Sequence, residues 1–158
     1  MSASTNETCR DSAGFRDQKS VVTSACASCF QHLHHTRSNL VAMGPWLVAM
    51  ESGKVTLAVK SDYRNESCAA VICADVSADD CRRWMECCED AEKCCEQQAT
   101  TPAATPSLGN NSSVTREGWC AQTWDGFACW PAAVANSVPM QRCPSFLTAM
   151  PDTRGKRT

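Results

Sequence analysis

The stretch Cys120-Ala-Gln-Thr-Trp124-Asp125-Gly126-Phe127-Ala128-Cys129-Trp130-Pro131 decides the fold of this 158-residue chain. Asp-Gly is a strong signal for a tight turn, and aromatic residues flank the dipeptide on both sides. We therefore predict a β-hairpin with a cysteine on each side of the turn. Pro131 should end the second strand, because proline has no amide hydrogen to donate to a sheet. The two tryptophans would form a large share of a small core.

Composition indicates that disulfides, rather than a large apolar core, stabilise the fold. Thirteen residues are cysteine, whereas aromatic residues make up only 6% of the chain. Small domains with little apolar surface to bury commonly rely on disulfides formed in oxidising compartments. The odd count leaves at least one cysteine without a partner in the chain. A formal net charge of −2 gives no indication of nucleic-acid binding.

Residues 77–98 carry the clearest helical pattern. Ser77 is a good N-cap, and the apolar residues after it recur at helical spacing and form one stripe. The stripe contains Cys81, Trp84, Cys88, Ala91 and Cys95, with Cys87 and Cys94 beside it. Cysteines seven positions apart on one helix are about 10 Å apart, which exceeds the reach of a disulfide. These thiols should therefore pair with other segments.

The rest of the chain divides by composition. Residues 1–76 form a cysteine-containing N-terminal region of unknown fold, with one short strand expected at Lys54–Lys60. Residues 99–118 are rich in Thr, Ser, Pro and Asn, which indicates a linker or an inserted loop, and residues 151–158 form a polar tail. Four asparagines begin N-x-Ser/Thr sequons and are candidate glycosylation sites: Asn6, Asn65, Asn110 and Asn111.

Membrane and targeting signals are absent from the sequence as written. The first residues are polar and contain no apolar segment of the kind found in signal peptides. The longest apolar stretch, residues 40–50, is broken by Gly44 and Pro45 and is too short to span a bilayer. Cysteine density nevertheless favours an oxidising compartment, so we expect a chain that lacks its true N-terminus.

A metal site and an enzyme are the two alternatives that the residues raise. Cys26-x-x-Cys29 is followed by His32, His34 and His35, and sulfur and imidazole nitrogen are the usual ligands of zinc. This spacing matches no common zinc finger, so we expect disulfide or surface roles and no metal or other cofactor. No Ser-His-Asp or Cys-His arrangement has supporting context, and the G-x-S-x-G motif is absent, so we expect no catalytic residues.

The pattern C-x3-W-D-G-x2-C-W-P, followed by Cys143-Pro144 and Phe146, resembles the hormone receptor domain of secretin-family (class B) G-protein-coupled receptors. The resemblance implies an α+β, small and disulfide-rich fold, in which an N-terminal helix packs on short antiparallel β-hairpins. Residues 119–150 would be a partial hormone receptor domain. The domain would be incomplete at the C-terminus, because the family has two further framework cysteines after the one that matches Cys143.

The resemblance also implies roles for single residues. Cys120, Cys129 and Cys143 would be the second, third and fourth framework cysteines, and the first would lie on helix 77–98 and pair with Cys129. Cys88 and Cys95 are preferred as that partner because they share the stripe with Trp84, while Cys87 and Cys94 remain open. Trp124, Trp130 and Pro131 would be core residues. Asp125 would be buried beside Gly126 and hydrogen-bonded in the turn, facing a basic partner for which Arg142 is a candidate.

In this family the hormone binds as an amphipathic helix in a groove between the N-terminal helix and the hairpins. The resemblance therefore implies a fragment of a receptor ectodomain on the extracellular side of the plasma membrane. The full receptor would bind a peptide hormone and reach a heterotrimeric G protein through a membrane domain that this chain lacks. A soluble truncated peptide-binding isoform and an unrelated cysteine-rich metal-binding protein are the alternatives.

Overall fold

The structure is a computed structural model that describes residues 8–100 and 119–147. Within these residues, three helices and several short strands make an α+β fold and five cysteine pairs form disulfides, so the predicted fold class is confirmed. In chain order the elements are β1 (Thr8–Asp11), β2 (Gly14–Asp17), α1 (Gln18–His34), β3 (Leu40–Met43), β4 (Trp46–Glu51), β5 (Lys54–Lys60), α2 (Glu66–Cys73), α3 (Ala78–Thr100), β6 (Trp119–Cys120), β7 (Thr123–Trp124), β8 (Cys129–Trp130) and β9 (Ala133–Val134).

Helix α3 lies where the apolar stripe predicts a helix, and it organises the core. The Ser77 hydroxyl accepts a hydrogen bond from the backbone N–H of Asp80 at 3.1 Å and caps the first turn. Trp84 is fully buried, and its indole N–H donates to the carbonyl oxygen of Cys26 at 2.9 Å. The ring of Phe30 meets Trp84 edge-on. A polar group buried this deeply is tolerated because it has a hydrogen-bond partner.

Helix α1 packs along α3 and is joined to it by two disulfides. Asp17 caps α1 by accepting from the N–H of Ser20 at 2.9 Å. Cys26 and Cys29 lie one turn apart on the same face, so both reach α3, where they bond to Cys88 and Cys87. The zinc-binding alternative is therefore wrong for this Cys-x-x-Cys pair, because both sulfurs are already in disulfides. Within the described residues no cluster of His, Cys, Asp and Glu could hold a metal ion.

The apolar stretch 40–50 forms a hairpin, and the expected strand at Lys54–Lys60 completes a three-stranded antiparallel sheet, β3-β4-β5. Gly44 turns the hairpin with a φ of +57°, a conformation that favours glycine. One face of the sheet packs Leu40, Leu47 and Val59 into the core. The opposite face exposes large apolar side chains, among them Val41, Met43, Trp46 and Met50.

The N-terminal part of the chain shares its core and a sheet with the segment after residue 118. Strand order β2-β1-β7-β8 places the first strand beside the predicted hairpin, with Asp11 opposite Trp124 in a parallel pair. A disulfide joins Cys9 to Cys95, and another joins Cys73 to Cys81. The small sheet β6-β9 stands apart from these contacts. No helix among the described residues has the length and apolar character needed to cross a bilayer.

Candidate functional site

The Asp-Gly stretch forms the β-hairpin that its sequence predicts. Strands β7 and β8 are antiparallel, with Thr123 opposite Trp130 and Trp124 opposite Cys129. The backbone N–H of Asp125 donates to the carbonyl oxygen of Ala128 at 3.2 Å, which closes the turn. Gly126 has a φ of +111°, so a side chain at this position would strain the backbone.

Asp125 holds this turn together from the solvent side. Its carboxylate accepts from the backbone N–H groups of Phe127 and Ala128, each at 2.8 Å, and from the indole N–H of Trp130. Partial burial raises the pKa of Asp125, but the hydrogen bonds from Trp130, Ala128 and Phe127 outweigh it and hold the pKa below its usual value.

Two expectations about Asp125 are wrong. The residue is exposed rather than buried, because the turn projects into solvent. Arg142 is not its partner: in the part of the chain that the structure describes, the carboxylate is satisfied by neutral N–H donors and Arg142 makes no ion pair.

The expected core residues of the hairpin differ in burial. Trp124 is buried and packs in the core cluster, and its indole N–H has no hydrogen-bond partner among the described residues. Trp130 is half-buried, since its ring edge reaches outward to Asp125. Pro131 is exposed, so its expected place in the core is wrong. It follows the last residue of β8, as its missing amide hydrogen requires.

A disulfide ties the hairpin to α3. Cys129 bonds to Cys94, with the two Cα atoms 5.5 Å apart. The preference for Cys88 or Cys95 is wrong, because these two cysteines bond to Cys26 and Cys9. Cys87, the other open candidate, bonds to Cys29.

The remaining framework candidates lie at the surface. Cys120 on β6 and Cys143 are exposed and form no disulfide among the described residues. Cys68 is half-buried and also forms none there. Pro144 is half-buried and precedes Phe146, which is buried in the core.

Of the glycosylation candidates, the described residues include Asn65 alone. It is exposed, and its Oδ1 caps α2 by accepting from the N–H groups of Ser67 and Cys68. Asn6, Asn110 and Asn111 lie outside the described residues.

A cleft of about 360 Å³ opens between α3, the β7–β8 hairpin and residues 141–144. Its lining combines an apolar and aromatic wall with amide side chains and charged groups. The lining residues are Asp90, Lys93, Cys94 and Gln97 of α3, Gln122, Trp124, Phe127, Ala128, Cys129 and Pro131 around the hairpin, and Gln141, Arg142 and Pro144. Gln122 crosses between the two walls, since its amide N–H donates to Gln97 Oε1 at 3.0 Å.

The N-terminal elements support the hairpin on its other side. The side chain of Gln98 bonds to both backbone groups of Arg10, accepting from its N–H at 2.6 Å and donating to its carbonyl oxygen at 2.9 Å. The ring of His32, on α1, lies 4.7 Å from that of Phe127 at the edge of the cleft. These contacts fix the hairpin relative to α3, and so set the shape of the cleft.

The comparison with protein families matches the segment that contains the hairpin. Residues 117–158 match the family model of the hormone receptor domain, the extracellular domain of class B G-protein-coupled receptors. The resemblance is confirmed over this segment. The match covers about a quarter of the chain and includes the hairpin, Cys143 and Pro144, whereas α3 and the elements before it lie outside it. No curated protein and no solved structure matches the chain.

Several residues that line the cleft are not predicted as site residues from the sequence. Asp90, Lys93 and Gln97 occupy a polar face of α3, where a solvated surface is the ordinary expectation. The sequence predicts Phe127 only as an aromatic residue flanking the turn, although it lines the edge of the cleft. Their shared role arises from the Cys94–Cys129 link, which no local pattern in the sequence specifies.

Proposed function

We propose that the chain binds an amphipathic helical peptide, a hormone, in the cleft between α3 and the β7–β8 hairpin. The observation that supports this proposal is the cleft itself, formed by a helix outside the matched segment and a hairpin inside it. In class B receptors the hormone lies between the N-terminal helix and the hairpins, the positions that we assign here to α3 and to the β7–β8 hairpin. Such a peptide would act at the extracellular side of the plasma membrane, and signalling to a heterotrimeric G protein would require a membrane domain.

The chemistry of the cleft suits one face of a helix. Trp124, Phe127 and Pro131 offer an apolar wall to the apolar stripe of a peptide. Amide side chains at the edge, Gln97 and Gln141 among them, can exchange hydrogen bonds with flanking polar groups. A volume of about 360 Å³ is close to the lower end of the range of roughly 300–1,000 Å³ for small-ligand sites. The cleft would therefore hold a few anchoring side chains and leave the rest of the peptide on the surface.

A panel of amphipathic helical peptides, each carrying a fluorophore, would test the proposal by fluorescence polarisation against the oxidised full chain. Phe127→Ala removes part of the apolar wall and should weaken binding about tenfold or more, as loss of an aromatic anchor commonly does. Phe15→Ala is the matched control, because Phe15 is an exposed phenylalanine on β2 and does not line the cleft.

Thermal unfolding should accompany the binding measurement, because Phe127 also packs against His32 and the core. Equal affinity of the wild type and Phe127→Ala for every bound peptide would contradict this use of the cleft. Equal losses in Phe127→Ala and Phe15→Ala would contradict it too.

A further inference from the structure

The wall of the cleft that α3 contributes contains one carboxylate that has no partner among the described protein residues. Asp90 is half-buried and lines the cleft. Within the described residues its oxygens accept no hydrogen bond and make no ion pair. Lys93, the next cation along α3, influences it electrostatically without coming within ion-pair distance. Burial, with the nearby charges of Glu89 and Glu86, raises the pKa of Asp90 above its usual value.

Other acidic residues of α3 lack this combination of burial and missing partner. Asp79 and Glu86 pair with Arg82, Asp80 pairs with Arg37, and Glu92 pairs with Arg64. Glu89 precedes Asp90 in the sequence, but it is exposed and lies outside the cleft lining. Asp90 therefore loses part of its hydration on folding, and no group among the described residues donates a hydrogen bond in return, which is unfavourable for a charged group.

The cationic side chains that line the cleft are more exposed to solvent than Asp90. Lys93 and Arg142 both line the cleft, yet both side chains belong to exposed residues and keep their contact with water. A ligand carboxylate gains little from a solvated cation, because water and salt screen the attraction and the pairing restricts two flexible side chains. A ligand cation placed against Asp90 supplies charge-assisted hydrogen bonds that no protein group among the described residues provides.

We propose that Asp90 is a specificity residue that selects peptides carrying a lysine or arginine beside their apolar stripe. The inference rests on the proposed function, since it concerns the peptide in the same cleft. Trp124, Phe127 and Pro131 hold the apolar stripe, and the basic side chain pairs with the Asp90 carboxylate. A guanidinium fits this role especially well, because its paired N–H groups can engage both carboxylate oxygens.

A displayed library of amphipathic helical peptides of about 15 residues would test this, since shorter isolated helices are marginal in water. The apolar positions are fixed, the polar positions are randomised, and binders are selected on the oxidised full chain. Wild-type protein should enrich lysine or arginine at one polar position. Selection on Asp90→Asn should lose that enrichment, and selection on Asp90→Lys should replace it with aspartate or glutamate. Glu89→Gln is the matched control and should select the same basic residue as the wild type.

Affinities of one selected peptide give the quantitative readout. An arginine-containing binder should bind Asp90→Asn about tenfold more weakly than wild type, and Glu89→Gln within about twofold. Binders without basic enrichment on the wild type would overturn the role of Asp90 and leave the proposed function standing. A wild-type protein that selects no peptide at all would overturn both. The wild-type selection decides the question even where a variant folds poorly.

Discussion

Asp125 organises the hairpin turn although solvent reaches it. Three N–H donors converge on its carboxylate, two from the backbone of Phe127 and Ala128 and one from the indole of Trp130. A basic residue would add a salt-screened attraction, but the turn needs an acceptor at a fixed position more than it needs a counter-charge. The aspartate of the motif is therefore explained by local geometry alone.

Replacing Asp125 with alanine should destabilise the domain by ~1–2 kcal/mol, because the three donors lose a common acceptor and partial exposure lets water replace some of the bonds. Asp125→Asn keeps an acceptor oxygen and should cost less. Urea unfolding with the disulfides intact measures both changes. Glu89→Ala, which removes another exposed carboxylate, serves as the control and should be nearly neutral. Equal stability of Asp125→Ala and wild type would contradict the stabilising role of the Asp125 carboxylate in the turn.

His34 is a buried polar residue at the interface between α1 and α3. Its Nε2 lies 3.1 Å from the carbonyl oxygen of Asp80, and its Nδ1 has no hydrogen-bond partner among the described residues. Burial lowers the pKa of His34, Asp80 opposes that change, and the positive charges of Arg37 and Arg83 add to it. The net pKa lies below the ordinary value of 6.5, so the folded protein favours the neutral imidazole.

This depressed pKa makes the protein less stable in mild acid. Below pH 6.5 the unfolded chain takes up a proton at His34 that the folded chain resists, so the free energy of unfolding should fall as the pH drops through that region. His34→Gln removes the titration, and its stability should stay flat between pH 7 and the onset of carboxylate protonation. Guanidinium unfolding at several pH values measures both profiles. Parallel profiles for the two proteins would show that other groups cause any acid sensitivity.

At the scale of elements, the sequence predicts what local chemistry determines. A cap at Ser77 and a stripe at helical spacing are enough to locate α3, and an Asp-Gly turn between aromatic residues is enough to locate the β7–β8 hairpin. The Cys-x-x-Cys spacing of α1 is itself informative. Two cysteines three positions apart lie on the same face of a helix, so both can form disulfides with one neighbouring helix.

Disulfide partners could not be predicted in the same way. The stripe predicts that Cys88 and Cys95 face the core. Several different elements, however, pack around α3 in that core. Successive residues on a helix differ by about 100° in direction, so Cys94 and Cys95 face different neighbours, the hairpin and β1. Only the arrangement of the other elements decides which cysteine meets Cys129, and that arrangement depends on contacts distant in sequence.

Non-reducing peptide mapping should recover Cys129 linked to Cys94. Replacing both residues with serine should cost ~2–4 kcal/mol, since the link closes a loop with a sequence separation of 35 residues. Because the same link joins the two walls of the cleft, peptide binding should weaken more than stability alone explains. A control pair, Cys73→Ser with Cys81→Ser, removes a link outside the cleft lining and should leave peptide affinity unchanged in the folded protein. Recovery of Cys129 with Cys88 or Cys95 would contradict the structure.

At the scale of the whole molecule, residues 8–76 are part of the same folded unit as the hormone receptor domain segment. The buried core cluster includes side chains of α1, the β3–β5 sheet, α3 and the hairpin. Strand β1 pairs with β7, and Cys9 bonds to Cys95. The sequence could not predict that β1 pairs with β7, because β1 is only four residues long and β7 lies more than a hundred positions after it.

Gln98 offers a direct test of that single folded unit, because its amide group is the side chain that holds both backbone groups of Arg10. Gln98→Ala leaves a half-buried N–H and carbonyl oxygen without their partner and should cost ~1–2 kcal/mol. If the molecule unfolds as one unit, tryptophan fluorescence and far-ultraviolet circular dichroism should report the same shifted transition. Gln141 is an exposed glutamine after the hairpin, so Gln141→Ala should leave the unfolding transition unchanged in both measurements. Two separate transitions in the wild type, with Gln98→Ala shifting only one, would instead mean that the N-terminal elements and the hairpin fold independently.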